Sequence, residues 1–244
     1  MSTATVTDPR PDSGSTDRRN FMLLVWCGPA SIVTVLIGWM VLAGFLPPPS
    51  PALPPADAVA VWQDHTTLKR IGLTMCVWGG TLYVPFSIAI MIALRRGEPG
   101  RSILSTAQAA LGTFGTVFFT LPFLILAMTP YRLDTAPAAI EPLHDLGFAM
   151  TFAPVAPFTF QYLLIGMAVL QDRATPQVFP RWVGYANFLA GFLLVPACLI
   201  PLFRTGPLAW NGVFSFWIPV IEFTAWFFLM VWALRRDARR MYES

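Results

Sequence analysis

Six stretches of this chain are apolar for about 20 residues or more, the length that an α-helix needs to cross a bilayer. They cover residues 21–45, 71–94, 105–128, 148–170, 182–203 and 212–234. The first five contain no Asp, Glu, Lys or Arg, and the sixth contains only Glu222. Because peptide groups inside lipid must find hydrogen-bond partners within the protein, these stretches predict helices rather than open strands.

The pattern predicts an all-α, polytopic membrane protein: a bundle of six transmembrane helices over residues 21–236, between a disordered tail (1–20) and a short tail (237–244). Of the 244 residues, 55% are hydrophobic and 12% are charged, about half the charged fraction of a soluble domain. This composition excludes a soluble domain, a disordered chain and a nucleic-acid binder. Cys27, Cys76 and Cys198 are too widely spaced to indicate a disulfide framework or a zinc site.

The basic residues predict the orientation of the bundle, because cytoplasmic loops carry an excess of Lys and Arg. If the N-terminus is cytoplasmic, the outer loops hold only Lys69, Arg70, Arg132 and Arg204. The other twelve basic residues, all arginines, then lie on the inner side. We therefore predict an N-in/C-in protein of a bacterial cytoplasmic (inner) membrane. The excess of Arg over Lys is typical of the coding bias of a GC-rich bacterium.

The first apolar stretch also follows a pair of arginines, Arg18 and Arg19, which together with Asn20 and Phe21 resemble a twin-arginine export signal. The stretch is longer than the apolar region of about 7–15 residues in a signal peptide. We predict a retained first helix, and a cleaved export signal is the alternative.

Between the first two stretches, residues 46–55 are rich in proline and predict an extended segment. Asp57 is placed to cap a short helix after it, with Trp62 in the aromatic belt of the interface. Every transmembrane stretch contains proline, which predicts bent helices around a cavity, although membrane helices also tolerate proline without a functional reason. The glycine pairs at 79–80 and at 112 and 115 predict close helix contacts.

Glu222 is the residue most informative about function, because a carboxyl near the bilayer centre is costly and often functional. No basic residue lies at its depth in the sequence, so it should be neutral, hydrogen-bonded or in contact with water. Counting residues along the helices places Tyr83 and Gln161 at a similar level, and we predict these two as its partners. A site for a ligand head group or a proton is one interpretation of this layer, and a structural hydrogen bond between helices is the other.

Both histidines lie in predicted outer loops, His65 beside Asp64, and His144 between Glu141 and Asp145. Glu141, His144 and Asp145 could share one face of a helix. Histidines with carboxylates can bind a metal or act as acid and base. Nothing in the spacing brings the two loops together, so no metal site is predicted, and His65, His144 and Asp145 are weak candidates only.

No sequence motif of a known catalytic or cofactor site is present: there is no phosphate-binding loop, nucleophile elbow, zinc-protease motif or Gly-rich dinucleotide loop. No cofactor is therefore predicted.

Four segments carry a resemblance: residues 46–51 (LPPPSP), 179–187 (FPRWVGYAN), 203–212 (FRTGPLAWNG) and 216–219 (FWIP). Together they resemble a group of uncharacterised, multi-pass integral membrane proteins of actinobacteria and related soil bacteria. The resemblance implies a membrane protein of the same kind over most of the chain after residue 20, and implies no activity.

For function, the sequence favours a protein that binds or moves a small apolar or amphipathic molecule, or that accompanies another membrane protein in the lipid bilayer. The first alternative is a membrane-embedded enzyme on lipid-like substrates, using Glu222 or the outer His and Asp residues. The second is a scaffold subunit without a ligand.

Overall fold

The computed structural model describes residues 13–98, 100 and 102–242, and this part of the chain is an all-α bundle without β-strands. Six helical segments are long and apolar enough to cross a membrane, which confirms the predicted fold class. We name them spans 1 to 6: Thr16–Leu42, Thr66–Leu94, Ile103–Arg132, Ile140–Gln171, Arg181–Leu202 and Val213–Met241.

Most spans combine two helical elements. Span 1 contains α1 (Ser13–Leu36) and a π-helical segment (Ile37–Leu42), and α2 (Pro55–Gln63) lies in the loop that follows. Span 2 contains α3 (Thr66–Thr81) and α4 (Tyr83–Leu94), and span 3 contains α5 (Ile103–Met128). Span 4 contains α6 (Ile140–Phe152) and α7 (Ala156–Gln171). Span 5 contains α8 (Arg181–Leu194) and a 3₁₀ segment (Val195–Leu202), and span 6 contains a π-helical segment (Val213–Trp217) and α9 (Ile218–Tyr242).

Prolines explain where spans 2 and 4 are interrupted. A proline ring clashes with the carbonyl four residues earlier and cannot donate a hydrogen bond to it. Helix α3 ends at Thr81, four residues before Pro85. The residues between α6 and α7 include Ala153, four residues before Pro157. The predicted effect of proline is thus confirmed in these two spans, whereas α1 and α5 continue as helices through their prolines.

Side-chain contacts place the ends of the first and last spans near residues 26 and 235 at one end of the bundle, which we call the terminal end. The guanidinium of Arg235 near the C-terminus lies 5.2 Å from the ring centre of Trp26 in span 1. Arg96, after span 2, pairs with Asp237 of α9. We call the opposite end, which carries residues 43–65, 133–139 and 203–212, the loop end.

The helices extend further than the apolar stretches predicted. Residues 13–20, predicted as part of a disordered tail, belong to α1, and α9 continues through residues 237–242 of the predicted C-terminal tail. A helix satisfies its own backbone hydrogen bonds, so it can continue into water after its apolar residues end. Arg239 and Arg240 in the last turn of α9 also favour this extension, because cations stabilise a helix C-terminus. Residues 1–12, 243 and 244 of the predicted tails lie outside the described residues.

Candidate functional site

A buried layer of polar side chains connects spans 2, 3 and 4. The Tyr83 hydroxyl donates a 2.7 Å hydrogen bond to Oε1 of Gln161. Nε2 of Gln161 donates to Oγ of Ser87 at 3.0 Å and to Oε1 of Gln108 at 3.1 Å. Nε2 of Gln108 donates to the backbone carbonyl of Ser87 at 3.3 Å. All four side chains are fully buried, so the hydrogen bonds that join the three spans are shielded from the surroundings of the bundle.

Gly112 of α5 provides the space that this polar layer occupies. A Cβ at this position would lie 2.6 Å from Nε2 of Gln161 and would also overlap with Oγ of Ser87. The close contacts predicted for the other glycines are confirmed as well, with Gly79 against Thr34 and Gly115 against Phe158.

Replacing Gly112 by alanine is expected to lower the free energy of unfolding by about 1–3 kcal/mol, because the added methyl group must displace Ser87 or Gln161. Reversible unfolding in lipid–detergent mixtures measures the change. Ala110→Val adds methyl groups to an exposed position of the same helix and is the control. An unfolding free energy of Gly112→Ala equal to that of the control would contradict the tight packing of this layer.

Glu222 does not belong to the hydrogen-bonded layer, so the prediction that Tyr83 and Gln161 are its partners is wrong. Tyr83 and Gln161 bond to each other, and neither carboxyl oxygen of Glu222 has a hydrogen-bond partner. Glu222 nevertheless lies within electrostatic range of Tyr83 and of Tyr162. Its side chain lines a crevice of about 440 Å³ between α8 and α9, together with Ala190 and others.

A second, apolar cavity of about 110 Å³ lies between spans 1, 3, 4, 5 and 6. Its lining is dominated by aromatic and aliphatic side chains, including Trp39, Phe119, Phe152, Val155, Val220 and Phe223. The cavity and the Glu222 crevice touch different faces of α9, because Val220 and Phe223 line the first whereas Glu222 lines the second.

The cavity coincides with the places where the backbone departs from a regular α-helix. Trp39 belongs to the π-helical segment of span 1. Pro154 and Val155 lie at the break between α6 and α7, and Pro219 follows the π-helical segment of span 6. Irregular turns and proline kinks of this kind often lie at functional sites, and three of them contribute to this one cavity.

Trp39 is the largest residue in the wall of this cavity, and four phenylalanines surround it. Its ring centre lies 5.2–5.8 Å from the centres of Phe45, Phe123, Phe148 and Phe152. The indole is only 4% exposed, and its Nε1–H has no hydrogen-bond partner. Trp39, Phe123 and Phe152 thus give the cavity wall a rigid aromatic surface.

At the loop end, Trp62 of α2 packs into the bundle above this aromatic cluster. Its Nε1 donates a 3.0 Å hydrogen bond to Nδ1 of His144, and the Trp62 side chain is fully buried. The prediction that Trp62 belongs to an interfacial aromatic belt is therefore wrong.

The predicted cap of α2 is also wrong, because Asp57 lies inside the first turn and makes no capping hydrogen bond.

The two histidines occupy different surroundings. His144 is 1% exposed. Its Nδ1 accepts the hydrogen bond from the indole N–H of Trp62, so Nδ1 carries no proton and the proton of the neutral imidazole is on Nε2. His65 is exposed and lies 3.4 Å from Asp64, and Asp145 lies 3.9 Å from Arg204. His144 thus points into the bundle, away from the charged neighbours of Asp145. The described residues contain no group of three His, Cys, Asp or Glu side chains that could hold a metal ion.

Sequence reasoning missed several residues of these sites. Ser87 and Gln108 could have been found, because Ser87 is four residues after Tyr83 on one helix face, and Gln108 is an amide within an apolar stretch. Trp39 and Tyr162 carried no comparable signal among the many aromatic residues.

No protein-family model, curated protein or solved structure matches this chain. The resemblance to bacterial multi-pass membrane proteins therefore stays a prediction.

Proposed function

We propose that this protein binds a small apolar or amphipathic molecule that it takes from the lipid bilayer. The observation that carries the proposal is the apolar cavity of about 110 Å³ inside the bundle. Apolar cavities of roughly this size stay free of water and take up molecules about as large as benzene. A small apolar molecule, or the end of a hydrocarbon chain, would gain contacts there with Trp39, Phe119 and Phe223.

The wall of the cavity offers a route from the bilayer. Met40 of span 1 and Val220 and Thr224 of span 6 line the cavity and are only partly buried. In a membrane, this part of the wall lies next to lipid chains. A ligand dissolved in the bilayer would pass between these two spans without crossing water.

In this proposal, the polar layer supports the cavity instead of binding the ligand. Tyr83 and Gln161 use their hydrogen-bonding groups on each other and on Ser87 and Gln108. Spans 2, 3 and 4 are thereby fixed relative to one another, which keeps Phe119 of span 3 and Phe158 of span 4 in place at the cavity.

We further propose that the protein lies in a bacterial cytoplasmic membrane with both termini in the cytoplasm. The support is the distribution of charge, because the terminal end carries most of the arginines of the described chain. They include Arg95, Arg96, Arg173, Arg181, Arg235 and Arg240.

The cavity is tested with a hydrocarbon about the size of benzene that carries a photoreactive diazirine, added to the protein in lipid nanodiscs. Labelled residues are mapped by mass spectrometry. We expect labelling within residues 148–158 and 218–224 of the wild type, and a decrease of about fivefold in Val220→Phe, because the larger side chain fills the cavity. Fivefold corresponds to about 1 kcal/mol of binding free energy.

Val117→Phe is the matched control, because Val117 is 52% exposed on α5 and does not line the cavity. It should leave the labelling of residues 148–158 and 218–224 unchanged. Equal labelling of the wild type and Val220→Phe, with both proteins folded, would contradict the proposed function.

A further inference from the structure

The crevice between α8 and α9 is open to the surroundings of the bundle. Its volume is about 440 Å³. Leu189 on α8 and Ile221 on α9 line it and are 59% and 65% exposed, so its rim faces the bilayer. Ala186, Ala190 and Ala225 contribute only methyl groups to the lining, which leaves room for a chain-like molecule between the two helices.

Glu222 lines this crevice without a protein partner. The residue is 8% exposed, and both carboxyl oxygens lack a hydrogen bond and lie just beneath the surface of the crevice. Among the described residues that line the crevice, Trp226 carries the other side-chain polar group, and its Nε1 already donates to Oδ1 of Asn187 at 2.9 Å. The carboxyl group is therefore the one lining side chain with free hydrogen-bonding capacity.

The hydroxyl of Tyr162, like the carboxyl group of Glu222, has unused hydrogen-bonding capacity. The hydroxyl of Tyr162 is fully buried and has no hydrogen-bond partner, and Glu222 lies within electrostatic range of it. The Tyr162 ring stacks on Trp226, one helical turn after Glu222, with ring centres 4.4 Å apart. Tyr162 does not line the crevice, but it and Glu222 leave hydrogen-bonding capacity unused behind the crevice wall, which a polar group from outside the chain could use.

We propose that the crevice binds a lipophilic amine, a molecule with one basic nitrogen on an apolar body. The Glu222 side chain, which has no hydrogen bond to hold it, rotates toward the crevice when the ligand binds. The nitrogen then takes the proton of Glu222, and the resulting ammonium donates hydrogen bonds to the carboxylate. The pair has no net charge, so it can remain in an apolar environment. The apolar body lies along the alanines between Leu189 and Ile221.

The chemistry of the lining favours an amine over other amphiphiles. An alcohol or a second carboxylic acid can only exchange neutral hydrogen bonds with the protonated Glu222, whereas an amine takes its proton and forms the stronger charge-assisted hydrogen bonds. A pure hydrocarbon would leave both oxygens of Glu222 unsatisfied. This inference is independent of the apolar cavity, since the two sites use different side chains of α9.

The test uses two probes, each a twelve-carbon chain with a diazirine at its centre, one ending in a primary amine and the other in a hydroxyl group. The protein is labelled in nanodiscs of zwitterionic lipid, and the labels are mapped by mass spectrometry. On residues 186–193 and 218–229 of the wild type, we expect about tenfold more labelling by the amine than by the alcohol. Tenfold corresponds to about 1.4 kcal/mol.

Glu222→Gln should reduce labelling by the amine to the level of the alcohol. Glu141→Gln, which removes a carboxylate outside the crevice in the first turn of α6, is the control and should leave the preference intact. Ala225→Trp fills the crevice from an exposed position and retains Glu222. It should also abolish the preference, so the proposal stays testable if Glu222→Gln does not fold.

Equal labelling by amine and alcohol in the wild type, or an amine preference that survives Glu222→Gln, would overturn the proposal. Native mass spectrometry of the same nanodiscs gives a further outcome. A dimer that Ala225→Trp converts to a monomer would assign the crevice to a second copy of the chain and would also overturn it. Val220→Phe should leave the amine preference unchanged, so failure of this inference is distinguishable from failure of the proposed function.

Discussion

Replacing Trp62 by alanine is expected to detach α2 from the bundle and to lower the free energy of unfolding by about 3–5 kcal/mol. The Trp62 side chain is fully buried, and its indole donates to His144 and packs against Phe45 and Phe148. Alanine would remove these contacts and leave Nδ1 of His144 without a donor. Denaturant unfolding measures the global effect, and amide hydrogen exchange of residues 55–63 measures the release of α2.

Trp78→Ala is the matched control, because Trp78 is 75% exposed on α3. It removes an indole of the same size and should change the unfolding free energy by less than about 0.5 kcal/mol. Slow hydrogen exchange of residues 55–63 in Trp62→Ala, equal to that of the control, would show that Trp62 does not hold α2 in place.

Replacing Gln161 by leucine is expected to lower the free energy of unfolding by about 2 kcal/mol. The substitution keeps the size of the side chain but removes its bonds to Tyr83, Ser87 and Gln108. Individual hydrogen bonds between membrane helices contribute about 0.6 kcal/mol on average, and unsatisfied partners in a fully buried layer increase the total. Reversible unfolding in lipid–detergent mixtures measures the loss.

Tyr83→Phe removes only one of these bonds and is the comparison, with an expected loss of about 0.6 kcal/mol. If Gln161→Leu were no more destabilising than Tyr83→Phe, Gln161 would not connect the three spans. This result would contradict the role assigned to Gln161 in the polar layer.

The number and positions of the spans could be predicted because they depend on local composition. Apolar stretches of sufficient length have one stable form in lipid, and the breaks near Pro85 and Pro157 follow from the chemistry of the proline ring. The ends of α1 and α9 could not be predicted by the same reasoning. They lie in water, where hydropathy no longer distinguishes a helix from a disordered tail.

The direction in which Glu222 points depends on the rotation of α9 about its own axis, and hydropathy does not determine this rotation. Counting residues placed Glu222 at the level of Tyr83, but the packing of α8 against α9 makes its side chain part of the crevice wall and leaves both carboxyl oxygens buried without a hydrogen bond. The contact between Trp62 and His144 joins positions 82 residues apart. Such a pairing follows only from the packed fold, and so does the π-helical turn that places Trp39 at the cavity.

The two proposed sites share a physical origin. Span 6 contributes apolar side chains to the cavity on one face of α9 and the side chain of Glu222 to the wall of the crevice on another. Pro219, which follows the π-helical beginning of this span, lines the cavity. Helix α9 would thus contribute to two binding sites for molecules from the bilayer, the apolar cavity and the crevice that Glu222 lines.

The proposal that the cavity holds an apolar molecule is tested most directly by a crystal structure of the protein grown from a lipidic mesophase. We predict continuous electron density between Trp39, Phe152 and Phe223, and its loss in crystals of Val220→Phe. A wild-type structure in which these side chains close together and fill the cavity would contradict the proposed function.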